Sequence, residues 1–227
     1  MLKVIIIPLF IAALSLLVLP YTNYSPGFAV VGCHLTKIGP YAPKDVVYPP
    51  GCQNGALPSA DRVALLAQIK IFVDQGKIVF AKENDKLGMT NGSGVVKRGD
   101  GVDITIDTQV MRSFVTLANK GFTFTVSSMI GSHSKNVSGS GNVSRHWDGH
   151  AFDISVINGQ DIDTGGAAAK PVTMDFMKYL NSLTGSDLEP KQIICSGNGR
   201  VDPEVLALQK GVSSVVAGHE NHVHVGY

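Results

Sequence analysis

Charge is scarce in this sequence: Lys, Arg, Asp and Glu make up 16% of the 227 residues, and the two signs almost cancel to a formal net charge of +1. No long run of Lys or Arg is present, so there is no basic face of the kind that neutralises phosphates, and nucleic-acid binding is excluded as a working reading. No internal repeat is visible, which removes stacked-repeat architectures. No G-x-S-x-G elbow surrounds any serine, so the usual setting of a nucleophilic Ser is missing. Cysteine is limited to three residues. What the chain has in quantity is apolar side chains, at 44%, and 25 glycines. The first permits a packed core and argues against wholesale disorder. The second points to many turns around that core rather than to a helical bundle. The length fits one ordinary domain plus a short extra segment.

The extra segment is at the start. Lys3 precedes an almost unbroken apolar run, Val4 to Leu19. Residues 1–29 read as a signal peptide or as a membrane anchor, since the run is close to the shortest that spans a bilayer. Gly27-Phe28-Ala29 offers small residues for cleavage but lies far from the run. Val30-Val31-Gly32-Cys33 matches a lipobox by residue type but sits behind polar Tyr21 to Pro26. The expected location is therefore secreted, periplasmic or cell-envelope, with membrane contact only through this segment. Residues 30–58, rich in Gly, Pro and Tyr, form an irregular lead-in. A Cys33–Cys52 disulfide would pin it. Cys195, in the apolar run Gln192–Cys195, reads as a buried thiol, although spacing leaves its pairing open.

Residues 59–227 hold the expected domain. Ser59-Ala60-Asp61 caps a helix carrying Val63, Leu65, Leu66, Ile69 and Phe72 at helical spacing. Asn84 to Gly101 reads as a hairpin or long loop. Asp107-Thr108 caps a second helix that stops at Gly121. Strands are expected over Phe122–Val126, Ala151–Ile157, Lys191–Cys195 and His222–Tyr227, a loop over Gly131–Asn142, and a third helix over Thr173–Leu183. This order predicts an α+β fold, a largely antiparallel sheet with helices on one side.

Six of the seven histidines fall in two clusters beside predicted strands. One is His133 followed by Ser144-Arg145-His146-Trp147-Asp148-Gly149-His150-Ala151-Phe152-Asp153. The other is His219-Glu220-Asn221-His222-Val223-His224. Imidazole plus carboxylate is the ligand set zinc prefers where it keeps a reactive water. His146 and Asp153, fully extended, would stand roughly 23 Å apart, so sharing a metal requires a turn between them. Gly149 can make that turn without a Cβ clash. Beyond it, Ala151 and Asp153 share one strand face while His150, Phe152 and Ile154 share the other. His222 and His224, two residues apart, also share a face, and His219 precedes them where a turn would bring it over the metal.

Ser144 to Asp153 fits the pattern S-x-H-x-x-G-x-A-x-D at every fixed position, and His219, His222 and His224 fit H-x-x-H-x-H. Together the two motifs resemble those of the zinc D-Ala-D-Ala carboxypeptidases and penicillin-insensitive murein endopeptidases, part of a wider group with lysostaphin-like peptidases and the hedgehog domain. The resemblance covers roughly Phe122 to Tyr227. It implies a single zinc-peptidase domain that hydrolyses peptide bonds involving D-amino acids in peptidoglycan, working as a monomer on peptidoglycan peptides. It implies His146, Asp153 and His224 as Zn2+ ligands, His219 as general base and His222 as support beside the site. Zinc would lower the pKa of water to about 7, and His219 would take the proton. Relatives carry an Arg after the strand preceding the first motif; here Ser127 to Lys135 has none, which leaves His133, Lys135 or Arg145 as substitutes.

Other roles are open on sequence grounds. His222 as a fourth protein ligand would make a closed structural site and a catalytically silent zinc-containing binding domain. Glu220 could replace His219 as base. Ser144 is expected to orient the site by hydrogen bonding, His133 to touch substrate or simply lie in a loop, His150 to be structural, and Trp147 to be either a substrate platform or core filler.

Overall fold

The computed structural model describes residues 28–31, 34–37, 60–130, 135–137, 142–197, 199–212 and 216–227. The apolar run Val4–Leu19, Cys33, Cys52 and His133 lie outside them. Among the described residues, no helix is long and apolar enough to cross a membrane. The chain divides into two compact units, Met1–Val31 with Leu35–Val46, and Gly32–His34 with Val47–Tyr227. The first contains strand β1 (Phe28–Val31), which pairs with β2 (His34–Lys37).

In the second unit α1 (Ala60–Asp74) starts where the sequence placed a helix, with Leu66 and Ile69 buried. Strand β3 (Ile78–Phe80) follows, then α2 (Glu83–Thr90) and a hairpin of β4 (Val95–Lys97) and β5 (Asp103–Thr105). The hairpin agrees with the reading of Asn84–Gly101, but the first half of that stretch is helical. Asn84, Asp85 and Gly88 hide the helix in sequence, because all three have low helix propensity. Packing overrides it: Gly88 lies so close to β4 that a Cβ there would stand 2.4 Å from the Val95 carbonyl oxygen.

Helix α3 (Thr108–Lys120) is built as its ends predict. The Asp107 side chain accepts from the Gln109 N–H at 2.7 Å, and Gly121 closes the helix at φ 105°. Then come β6 (Phe124–Ser128), β7 (Ala151–Ile157), short β8 (Gln160–Asp161), α4 (Gly166–Ser182), β9 (Gln192–Ile194), α5 (Pro203–Leu206) and β10 (Val223–Gly226). Helix α4 begins seven residues before the expected Thr173. Ala167, Ala168 and Ala169 are strong helix formers without a hydrophobic period, and Pro171 sits in the second turn. Strands β3 and β8 are too short to show an alternation.

The main sheet runs β3-β6-β7-β10-β9, with β8 beside β7. Only β3 and β6 pair in parallel; the other pairs are antiparallel. The fold is thus mixed α/β with a mostly antiparallel sheet. Its core face carries Val126, Phe152, Ile154, Ile193, Val223 and Val225. From α3, Phe114 sets its ring 5.8 Å from Phe80, 6.0 Å from Phe124 and 4.8 Å from Phe152. From α4, Phe176 lies 6.5 Å from Phe124. Both helices therefore press on the same face, and Phe114→Ala would cost about 3–5 kcal/mol by the transfer and cavity terms together.

Cys195 lies in this core, fully buried and unpaired by any disulfide, as its apolar setting suggested. Burial pushes its thiol up to about 12, against a Gly197 carbonyl contact at 3.3 Å. The thiolate is the reactive form. Cys195 should therefore resist a thiol-specific disulfide reagent at pH 8 in the folded chain and react once the chain is unfolded in denaturant. Rapid labelling of Cys195 in the native protein would contradict this packing.

Candidate metal centre

The opposite face of the sheet is polar where β7 meets β10. In their antiparallel register Asp153 stands directly across from His224, and Ala151 across from Gly226. The pleat that sends Phe152 and Val225 into the core sends this second set to the other side. Asp153 and His224 are thus placed together by strand pairing alone.

His146 arrives from a turn. Residues 145–149 are held by Trp147 N–H to the Ser144 carbonyl (2.9 Å), Gly149 N–H to the His146 carbonyl (3.2 Å) and His150 N–H to the Arg145 carbonyl (2.9 Å). Gly149 makes the reversal at φ 80°, and a Cβ there would stand 2.7 Å from the Thr105 carbonyl oxygen. Its own carbonyl accepts from the Asp107 N–H at 3.0 Å, tying the turn to the start of α3. Arg98 adds a clamp, its guanidinium 3.6 Å from the Trp147 ring centre and bonded to the Trp147 carbonyl at 3.0 Å. Trp147 is thus the surface on which Arg98 stacks, a use that neither sequence reading of it included.

Three atoms then meet. His146 Nε2 lies 3.1 Å from Asp153 Oδ1 and 2.9 Å from His224 Nδ1, and His224 Nδ1 lies 3.0 Å from Asp153 Oδ1. All three side chains are buried, at 2%, 3% and 6% exposure. His146 Nδ1 faces the Met129 carbonyl at 2.6 Å. A carbonyl only accepts, so a ring proton belongs on Nδ1, and in the neutral ring Nε2 carries a lone pair. Burial drives His224 down to about 4, against the pull of Asp153. Its ring is therefore neutral at pH 7 and brings at most one proton to the meeting point. With a neutral His146, its Nε2 and Asp153 Oδ1 are two acceptors face to face, and one proton cannot serve three contacts. A cation at the centre satisfies all three together. A tetrahedral zinc with ligand bonds of ~2.1 Å keeps its ligands about 3.4 Å apart, close to the spacing here. Among the described residues, this triad is able to hold a metal ion.

The remaining candidates divide. A turn at Ala217–Gly218, with Gly218 at φ 84°, sets the His219 ring 4.8 Å from that of His222 and 5.8 Å from that of His224. His222 Nε2 reaches to 3.7 Å from Asp153 Oδ1, and its Nδ1 lies 2.7 Å from Asn221 Oδ1. Ser144 supports the His146 turn through its main chain, donating to the Lys135 carbonyl at 2.8 Å. Arg145 is turned elsewhere: it bonds the Tyr227 main-chain oxygen and, at 3.1 Å, Gln192 Oε1. His150 pairs with Asp107 Oδ2 at 2.6 Å, the structural role expected of it.

Sequence reasoning missed Asp85. This buried carboxylate of α2 accepts from the Met129 N–H at 3.0 Å, and burial raises its pKa while that bond, Lys82, His146 and the Ile130 N–H oppose the rise. It fell in a stretch read as hairpin or loop, where an Asp carries no message.

No protein-family model, curated protein or solved structure matches this chain.

The geometry makes Gly149 a sensitive position. Gly149→Ala must adopt a left-handed conformation and push a methyl into a carbonyl, at a cost of about 1–2 kcal/mol for the backbone alone. We expect a lowered unfolding midpoint in urea and weaker metal binding, since His146 hangs on this turn. Wild-type values for both would contradict the turn's role.

Proposed function

We propose that this chain is a zinc metallopeptidase that hydrolyses peptide bonds involving D-amino acids in bacterial peptidoglycan, as a D,D-carboxypeptidase or endopeptidase. The observation that carries the proposal is the convergence of His146, Asp153 and His224 on one point, from two motifs 71 residues apart in sequence at Asp153 and His224. The resemblance of both motifs to zinc wall peptidases supports the substrate class. On this reading residues 59–227 form a single zinc-peptidase domain, exported by the segment at residues 1–29 and meeting membrane only there.

His146, Asp153 and His224 would hold the zinc. Zinc supplies Lewis acidity, which makes water nucleophilic at neutral pH and polarises a carbonyl. His219 acts as general base. Its Nδ1 faces the Ala217 carbonyl at 3.3 Å, so the proton sits there and Nε2 is left to accept one from water. The same ring then returns that proton to the leaving amine. His219 is partly exposed whereas the triad is buried, as expected of a group that must meet substrate. His222, wedged between His219 and Asp153, limits how both can turn. Ser144 holds the His146 turn and makes no covalent intermediate. With Arg145 bonded elsewhere, substrate anchoring falls to His133 or Lys135.

A second reading has a specific observation behind it. His222 Nε2, at 3.7 Å from Asp153 Oδ1, is as near as a fourth ligand would be. Four protein ligands would close the site and leave a zinc-stabilised binding domain. Two variants separate the readings. If His219 is the base and His222 a support, His219→Ala keeps the metal and loses hydrolysis by roughly 10²–10⁴-fold. If the site is closed, His222→Ala sheds metal and the wild type cleaves nothing.

Muropeptides incubated with the purified chain, with products weighed by mass spectrometry, test the activity itself. Because no acyl-enzyme forms, cleavage should persist in penicillin, stop with a chelator and return with added zinc. A penicilloyl adduct that abolishes cleavage would refute the mechanism.

A further inference from the structure

Asp85 is 1% exposed, and no substrate could reach it. Its carboxylate accepts from the Met129 N–H at 3.0 Å, and the neighbouring Ile130 N–H also favours its charged form. The Ile130 N–H and the Met129 C=O belong to one peptide group, and that C=O is the acceptor for His146 Nδ1. Met129 is thus held at both ends: the Asp85 carboxylate takes its N–H, and its C=O takes the His146 proton. Fixing the N–H fixes how the carbonyl is aimed, and the aimed carbonyl holds the ring proton on Nδ1, directing Nε2 toward Asp153 and His224.

We propose that Asp85 is a positioning residue for the metal centre, acting on His146 through Met129. Metal-ligating histidines commonly give their second N–H directly to a carboxylate or a carbonyl, and that partner governs ring orientation and ligand basicity. Here a carbonyl and a carboxylate act in sequence. Lys82, at the start of α2, stands beside it and bonds Ser128 Oγ at 3.0 Å, and Ser128 is the register partner of Asp153. The start of α2 therefore abuts Ser128 at the end of β6 and Met129 just beyond it, the two residues that adjoin the metal ligands. The inference rests on the reading of the triad as a metal site.

The test uses the full chain and the variants Asp85→Ala and Asp85→Asn, with two readouts. Zinc affinity is measured by competition with a chromophoric chelator, and the His146 tautomer by nitrogen-15 NMR of the metal-free protein. Asp85→Ala should bind zinc about 10–100-fold more weakly and lose the single Nδ1–H tautomer. Asp85→Asn, which keeps an acceptor oxygen but no charge, should fall between it and the wild type. Thermal unfolding of the metal-free variants measures fold damage separately. Wild-type affinity and tautomer in a folded Asp85→Ala would overturn the proposal. If that variant does not fold, the same result in Asp85→Asn overturns it. A wild-type chain that takes up no zinc contradicts the metal reading instead, and the tautomer still decides the role of Asp85.

Discussion

Two lone-pair atoms pressed together in a buried place, His146 Nε2 and Asp153 Oδ1 at 3.1 Å, repel unless something positive lies between them or beside them. His224 Nδ1 closes the triangle and can relieve only part of this. The rest of the structure around the site serves to hold that unfavourable contact. Pairing of β7 with β10 fixes Asp153 opposite His224. The Gly149 turn brings His146 back over the strand, and the Met129 carbonyl fixes which nitrogen it presents. A bound cation would convert the repulsion into attraction.

The sheet makes this possible by dividing labour between its faces. On one side Phe114 and Phe176 press on Phe124 and Phe152, and the apolar burial supplies stability. On the other side the same strands carry the polar triad. A bulge in β6 connects the two roles. Between Val126 and Ser128 the chain advances two residues while β7 advances one, so Val126 faces Ile154 but Ser128 faces Asp153. Val126 thereby stays in the core, and the next residues deliver the Met129 carbonyl and the Met129 N–H held by Asp85.

The resemblance of the two motifs singled out the triad, and local periodicity made its geometry readable. Asp153 and His224 sit on strands whose alternation could be read, and Gly149 marked where the chain could turn between His146 and Asp153. The helix ends at Asp107 and Gly121 were legible for the same reason, since caps are chemical signatures of a few residues. Helix α2 was not: its weak propensity is overcome by long-range packing of Gly88 on β4. With it went Asp85, whose meaning depends on Met129 lying 44 residues away. The early start of α4 and the short strands β3 and β8 were lost because they carry no period. Trp147 was ambiguous because its partner, Arg98, is distant in sequence and adjacent only in space.

The most direct measurement is elemental analysis of the purified chain after zinc has been supplied at neutral pH. The account predicts one zinc per chain, and its loss in His146→Ala and in Asp153→Ala while both variants remain folded. A folded wild-type chain that holds no metal would contradict it, as would undiminished zinc in either variant.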